Sequence, residues 1–402
     1  MRVAVLLPHP YRGGTLKATQ DLCRLLRDAG AEPVCGLMSD RYEREHLLPF
    51  RAAKIPLRAL QWRAASPAEA AVIARQCGVF PEDLPPRPEW GIPDDGAGGF
   101  LDCRFWIVVS DRCHFHILPL RPYAVLAFDY IQRYAPEIFD AGAWERYERR
   151  FRPLAQDAWR VLVTTPETRR DCIDFAGVPA RRARLLPPFY SPPASPPPAA
   201  RTREGILWLC NPTPHKNHPV VLDGLRAYWS AGGTMRATMA GPMVEQFLDA
   251  GGEHMEKVRK RIRDLGAFSE RLRITGELAA PAYWRAMASA RLLLHGAKAD
   301  NGTLAAAEAG LCGTPVVSSD YPQMRTIARA FGVEPAWFDR DDPDSLADRL
   351  LEAERSLAAP DPIAVRARLD AQWRAAVASI AELLQEAERD RPPLPSGSGA
   401  HG

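Results

Sequence analysis

Among the 402 residues, no stretch approaches the about 18 uninterrupted apolar positions that a membrane-spanning helix needs, and Met1 to Leu7 starts as strand with no basic leader. Neither export nor membrane spanning is expected, and the reading places the chain in the cytoplasm. The eight cysteines, at 23, 35, 77, 103, 113, 172, 210 and 312, contain no C-x-x-C pair and are scattered through apolar segments. That argues against a disulfide framework or thiolate metal site and for reduced core thiols. Charge of one sign is also lacking, because 52 basic and 49 acidic residues are interspersed and leave a net +3. No nucleic-acid-binding surface is indicated. Lysine is scarce, 6 against 46 arginines, a composition bias that points to no binding function. The G-x-G-x-x-G fingerprint of dinucleotide binders is missing too.

What is present is a repeating alternation of apolar runs and helical stretches. Arg2 to Leu7 reads as a buried strand, Pro8 to Thr15 as a Gly-rich loop containing Gly13 and Gly14, and the following residues to about Asp28 as an amphipathic helix ended by Gly30. Further runs at Pro33 to Met38, Phe105 to Val109, Ala124 to Phe128 and Val161 to Thr164 predict a mainly parallel sheet. Pro187 to Pro198 holds seven prolines in twelve residues, which suits a semi-rigid linker and marks a domain boundary. The pattern then restarts with strands at Gly205 to Leu209, Arg236 to Ala240 and Arg271 to Thr275 and helices at His218 to Trp229, Met243 to Leu265 and Pro281 to Ala288. Late helices are expected at Asp341 to Glu354 and Ile363 to Glu388, and the Pro395 to Gly402 tail is expected to be disordered.

The most informative segment runs from Asp300 to Val317. Leu292 to Leu294 and Val316 to Ser319 read as two parallel strands with a small-residue helix between them, closed by Gly313. Ligands of such strand-helix-strand units sit at the carboxyl end of the first strand, where the helix offers free N-H groups to an anion. Asp300 and Glu308, eight residues apart, would lie about 12 Å apart and out of phase on one helix. Both reach one extended ligand only if Asp300 stays in the entering loop, with Gly302 allowing the turn and Thr303 as N-cap. The alternative is a loop-end charge and a solvated helix residue.

This segment, with Gly313-Thr314-Pro315-Val316-Val317 and Asp320-Tyr321-Pro322, resembles the acidic-x7-Glu motif of the family-four retaining glycosyltransferases of the GT-B fold, where Asp300 stands for the usual first Glu. The resemblance implies an α/β architecture of two doubly wound Rossmann-like domains facing a central cleft. Residues 1–186 would be the acceptor-side domain, 187–204 the linker, 205–361 the nucleotide-sugar domain, 362–390 a helix crossing back to the first domain and 391–402 a disordered tail. It also implies that Asp300 sits near the transferred sugar, that Glu308 holds the ribose, and that Asn301, Gly302 and Thr303 meet the sugar or distal phosphate.

Asn211 to His218 follows the first strand of the second half and opens a helix, a place for an anion. Lys216 followed by Asn217 matches the family's donor-phosphate Lys, but the family's preceding Arg falls on Cys210 or Asn211 and is missing. Gly13 and Gly14 resemble the loop that faces donor phosphates or acceptor. Phe128-Asp129 stands where the family often carries His-Asp, so Asp129 is a candidate for the acceptor or transferred sugar and otherwise a helix cap. The missing His contact would fall to His114 or His116. Neither that pair nor His215 with His218 has the further ligands a metal needs, so no metal and no cofactor are expected.

The expected activity is transfer of a hexose from a UDP- or GDP-linked sugar to a saccharide or lipid-linked saccharide hydroxyl, in cell-surface polysaccharide synthesis. Trp144 to Trp159 interleaves Arg with aromatics, which leaves peripheral membrane contact open. The alternatives are an inactive glycosyltransferase-like sugar-binding or scaffold partner and, from a different enzyme class, a GT-B epimerase or phosphorylase. The epimerase would need a cluster of cleft carboxylates and His and the phosphorylase a pyridoxal lysine, neither of which is visible.

Overall fold

A computed structural model describes residues 1–390 apart from 137, 138, 140, 194, 195, 198, 199, 201, 250 and 301–303. They form two compact units. The first comprises residues 1–128, 139–187 and 373 onward, and the second comprises the segment starting at Asp129 together with residues 188–372.

In the first unit the strands are β1 (Arg2–Leu6), β2 (Glu32–Leu37) and β3 (Leu57–Ala59), a separate antiparallel pair β4 (Gln61–Ala65) and β5 (Trp90–Asp94), then β6 (Phe105–Val109), β7 (Tyr123–Leu126), β8 (Arg160–Val163) and β9 (Ala183–Leu185). Seven of them make one parallel sheet in the order β3-β2-β1-β6-β7-β8-β9. Its centre is set by the apolar runs: Val3 pairs with Phe105 and Leu6 with Val108, and residues 105–109 are all buried, as expected for strands covered on both faces. The helix Gly14–Asp28 buries Leu16, Leu22, Cys23, Leu25 and Leu26, the apolar stripe that its sequence spacing set out.

The second unit contains β10 (Ile206–Leu209), β11 (Ala237–Ala240), β12 (Leu272–Ile274), β13 (Leu292–His295), β14 (Val316–Ser319) and β15 (Ala336–Phe338), in the parallel order β12-β11-β10-β13-β14-β15. Trp208 on the central β10 is fully buried, packed with Leu225, Leu292 and Leu294 in one cluster. Gly241, just past β11, has φ +146, and a Cβ there would lie 1.8 Å from the Cys210 carbonyl oxygen, so only glycine lets the two strand ends come this close.

The helix expected over Met243 to Leu265 is not continuous. A short 3-10 turn covers Val244–Phe247, and the α-helix begins only at Glu253. Gly251-Gly252 separates the two, and Gly252 at φ +109 is a backbone state that a helix cannot contain. The final helix, Pro362–Arg389, is shared by both units. In the first unit its Glu386 receives Arg160 and Arg184, and Trp373 donates to Asp28 at 2.9 Å.

Candidate functional site

In the second sheet the chain leaves β10 toward β11 on one side and β13 toward β14 on the other, so the crevice beyond the carboxyl ends of β10 and β13 is a topological switch point. Lys216 ends the 3-10 turn Pro214–Lys216 after β10, and Asp300 lies in the loop after β13, before the helix Leu304–Leu311. The two loops are tied by Lys298 N-H donating to the His215 carbonyl at 2.8 Å. Lys216 Nζ donates to Asp300 Oδ2, and less than a fifth of either side chain is exposed. Burial alone would raise the Asp300 carboxyl, but the charge of Lys216, with smaller electrostatic contributions from His215 and His295, and the Lys216 hydrogen bond outweigh it and hold Asp300 below the usual carboxylate range.

His295, the last residue of β13, is buried and exchanges a 2.8 Å hydrogen bond with the Tyr321 hydroxyl. Burial, then the charge of Lys216, pushes its imidazole down to about 4, so it is neutral at pH 7. Asn217 takes the left-handed conformation at φ 60, which asparagine tolerates, and its buried amide donates to the Arg340 carbonyl at 2.6 Å. That bond fixes the loop next to Lys216. Asn301, Gly302 and Thr303 lie outside the described residues.

Glu308 sits on the small-residue helix and is 4 % exposed. Its Oε1 accepts the Tyr190 hydroxyl at 2.9 Å and its Oε2 the Tyr283 hydroxyl. Burial, then the Glu308 charge, raises Tyr283 well above an ordinary phenol, which keeps it a donor. With one tyrosine hydroxyl donating to each carboxylate oxygen, the two tyrosines orient Glu308. Thus Asp300 and Glu308 are held by separate networks, one of charge and one of hydroxyls.

Asp300 also lines an open hollow with Asp129, Tyr130, Ile131, Tyr134, Ala299 and Gln323. This brings the two carboxylates singled out in the sequence to one surface. Asp129 clusters with the second unit although the sequence reading placed it in the first, and its Oδ1 accepts a long 3.4 Å bond from Ile131 N-H. Sequence reasoning missed Tyr190, Tyr283, His295 and Gln323. His295 was findable, as the polar end of a buried strand leading into the motif. Tyr190 in the linker and Tyr283 on a neighbouring helix carry no local signal.

In the first unit Gly13, at φ 62 and ψ −132, caps the helix Gly14–Asp28 with no side-chain bond and no acidic residue in the first turn. A Cβ on Gly14 would meet nothing within 4 Å, so the turn is open in front. His114 lies against His9 with ring centroids 4.5 Å apart, whereas His116 is buried, its Nδ1 without a hydrogen-bond partner. His218 is likewise buried, against Phe247 and His254. Among the described residues, no group of three His, Cys, Asp or Glu is placed to hold a metal ion, and no helix is long and apolar enough to cross a membrane. The aromatics of Trp144 to Trp159 are spent inside the unit: Trp144 packs on Phe139, Tyr147 and Phe175, and Trp159 packs on Phe105.

Residues 200–368 match the family model of the glycosyl transferases group 1. No curated protein matches the chain. Several solved structures are similar over nearly its whole length. Anabaena Alr3699/HepE in complex with UDP and glucose is 16 % identical, with a TM-score of 0.67, over 97 % of this chain and all of that one. Sucrose-phosphate synthase (tll1590) from Thermosynechococcus elongatus is 14 % identical, with a TM-score of 0.62, over 97 % and all. An alpha,alpha-trehalose-phosphate synthase (UDP-forming) from Burkholderia vietnamiensis is 11 % identical, with a TM-score of 0.59, over 96 % and 99 %. The two parallel-sheet units have the GT-B fold, and with a glycosyl transferases group 1 domain in its second unit the chain is a glycosyltransferase.

Proposed function

We propose that the chain is a retaining enzyme that moves a hexose from a UDP-linked sugar to a hydroxyl of a saccharide or lipid-linked saccharide, in cell-surface polysaccharide synthesis. The observation that carries this reading is the Lys216–Asp300 pair at the β10/β13 switch point, beside a hollow lined by Asp129 and Gln323. The solved complexes of Alr3699/HepE with UDP and UDP-glucose support the choice of donor. Residues 205–361 would serve the donor and residues 1–186 the acceptor, through the Gly13-Gly14 loop.

Lys216 is a full positive charge where a diphosphate gains negative charge as its bond to the sugar breaks, and a site already shaped for that charge stabilises the transition state. In the resting state Asp300 holds the ammonium in place. Donor phosphates then share Lys216, and Asp300 turns its lone pairs to a sugar hydroxyl. Asp129 and Gln323 face the same sugar, Asn217 steadies the loop, Asn301, Gly302 and Thr303 meet the sugar or distal phosphate, and Glu308 takes the ribose diol. For retention, the anomeric carbon's bond to the leaving phosphate breaks as the acceptor oxygen bonds to that carbon on the same face. The acceptor proton passes to the departing phosphate oxygen. No step needs a metal or cofactor. The protein would work in the cytoplasm, peripheral to the inner face of the membrane where its acceptor is lipid-linked.

The test is calorimetric titration of wild type and Glu308→Ala with UDP, GDP, ADP and their sugars. One nucleotide, UDP, is expected to bind and to lose about ten- to hundredfold in the variant, the equivalent of one or two lost hydrogen bonds to a charged group. Binding that is unchanged in the variant would remove Glu308 from the site. Binding of no nucleotide would favour an inactive sugar-binding partner.

A further inference from the structure

The first unit has its own switch point, which the donor chemistry leaves unused. The chain leaves β1 toward β2 and β6 toward β7, so a crevice opens beyond the carboxyl ends of β1 and β6. Two histidines stand there, one from each loop. His9 Nε2 is bonded to the Arg112 carbonyl at 2.7 Å, and its ring meets that of His114 edge to face. Two local irregularities converge on the pair. Ser110, immediately after β6, is held at φ +85, a strained state for a residue with a side chain, and such strain gathers where function requires a fixed geometry. The helix that passes His114 widens into a π-turn over Tyr147–Phe151, a feature common at functional sites. That turn lays Phe151 against His114 and brings Arg150 Nη1 to the His114 carbonyl at 2.7 Å.

The arginines of this turn divide into two kinds. Arg149 and Arg152 are paired with Glu145 and Glu148 one helical turn back. Arg146 and Arg150 are exposed and meet no carboxylate among the described residues, and the charge of both reaches His114. Burial, then in His9 the His114 ring and in His114 these arginines, holds both imidazoles below the ordinary histidine value. Each is therefore uncharged at neutral pH: His9, its Nε2-H given to the Arg112 carbonyl, keeps the Nδ1 lone pair, and His114 offers one N-H and one lone pair, which suits a hydroxyl, while two guanidiniums that meet no carboxylate among the described residues suit an oxyanion.

We propose that the crevice where β1 and β6 diverge binds an acceptor saccharide that carries a phosphate, its hydroxyls on His9 and His114 and its phosphate on Arg146 and Arg150. The proposal rests on the reading of the first unit as the acceptor unit. The phosphate has two sources, a free sugar phosphate or the diphosphate link of a polyprenyl-borne saccharide, and both present the same oxyanion to the same guanidiniums.

The test uses the full chain with UDP present. Glucose, glucose 1-phosphate and glucose 6-phosphate are titrated by calorimetry, and vesicles bearing a polyprenyl diphosphate saccharide are compared by flotation with plain phosphatidylglycerol vesicles. At least one phosphorylated probe is expected to bind ten or more times tighter than its unphosphorylated counterpart. Arg146→Gln with Arg150→Gln is expected to erase that preference, and His114→Ala to weaken the phosphorylated probe a further few-fold. Preference for the soluble sugar phosphates identifies a free acceptor, and preference confined to the diphosphate-bearing vesicles identifies a lipid-linked one. Equal binding of phosphorylated and plain probes, a preference that survives the arginine changes, or flotation with phosphatidylglycerol vesicles alone would each overturn the proposal. UDP affinity, read in the same samples, reports on the second unit, so its loss refutes the donor assignment and leaves this one standing.

Discussion

Replacing Lys216 by Met should expose how much the second unit depends on the Lys216–Asp300 pair. The side chains are 18 % and 17 % exposed, so the pair is neither a surface contact nor a fully dry one. At an effective dielectric of about 20, unit charges about 4 Å apart attract by roughly 4 kcal/mol, much of it offset by lost hydration. Removing one partner of a buried pair costs about 3–5 kcal/mol, and the residual exposure brings the expected loss for Lys216→Met to about 2–3 kcal/mol. Asp300→Asn should cost about 1–2 kcal/mol, because the freed ammonium can reach water, and the double variant should be no less stable than Lys216→Met, a coupling of about 1.5 kcal/mol. The assay is guanidinium unfolding followed by tryptophan fluorescence, read on the transition that UDP shifts, since two units need not unfold as one. The pH dependence adds a sign. In wild type Asp300 is held below its unfolded value, so its contribution is present above the unfolded pKa and is lost as pH falls through the folded one. Without Lys216, burial acts on the carboxyl almost unopposed, and the variant should gain on wild type as pH drops below about 5. Additive losses in the double variant, within about 0.5 kcal/mol, would refute the coupling and with it the placement of Lys216.

Tyr283→Phe removes one of the two hydroxyls that orient Glu308, and it is expected to raise the donor KM several-fold with kcat little changed, at a stability cost of about 1–2 kcal/mol. An unchanged KM would make the tyrosine purely structural. His295 is neutral and buried with its value pushed down to about 4, so between there and about 6.5 the unfolded chain binds the extra proton and stability rises with pH. His295→Gln should flatten that slope in thermal melts from pH 4 to 7, and an unaltered slope would assign the titration elsewhere. Gly241→Ala puts a Cβ on the Cys210 carbonyl and should lower stability by more than about 3 kcal/mol, measured by the same guanidinium unfolding, with near-wild-type behaviour refuting the close approach.

Two doubly wound sheets were legible in the sequence because parallel strands buried on both faces must read as continuous apolar runs, and residues 3–7, 105–109, 206–208 and 292–294 do. The interrupted helix after Met243 was missed because apolar periodicity outweighed the pair of glycines at 251 and 252, which only a backbone in a non-helical state makes visible. Within the motif, the spacing of Asp300 and Glu308 required one to be off the helix, and the helix does start after Asp300. Local chain geometry alone dictates that much. Which groups face those carboxylates was decided elsewhere: Lys216 comes to Asp300 from 84 positions away, Tyr190 to Glu308 from 118, and Tyr283 from a different helix. Periodicity records which side of an element is buried, and it holds no information about which distant side chain fills the space beside it. The sequence by itself determined the strands, the loops that end them and the chemistry those loops can carry. Only the tertiary structure, by setting the strand order and hence where the two switch points fall, decided which of those residues share a site.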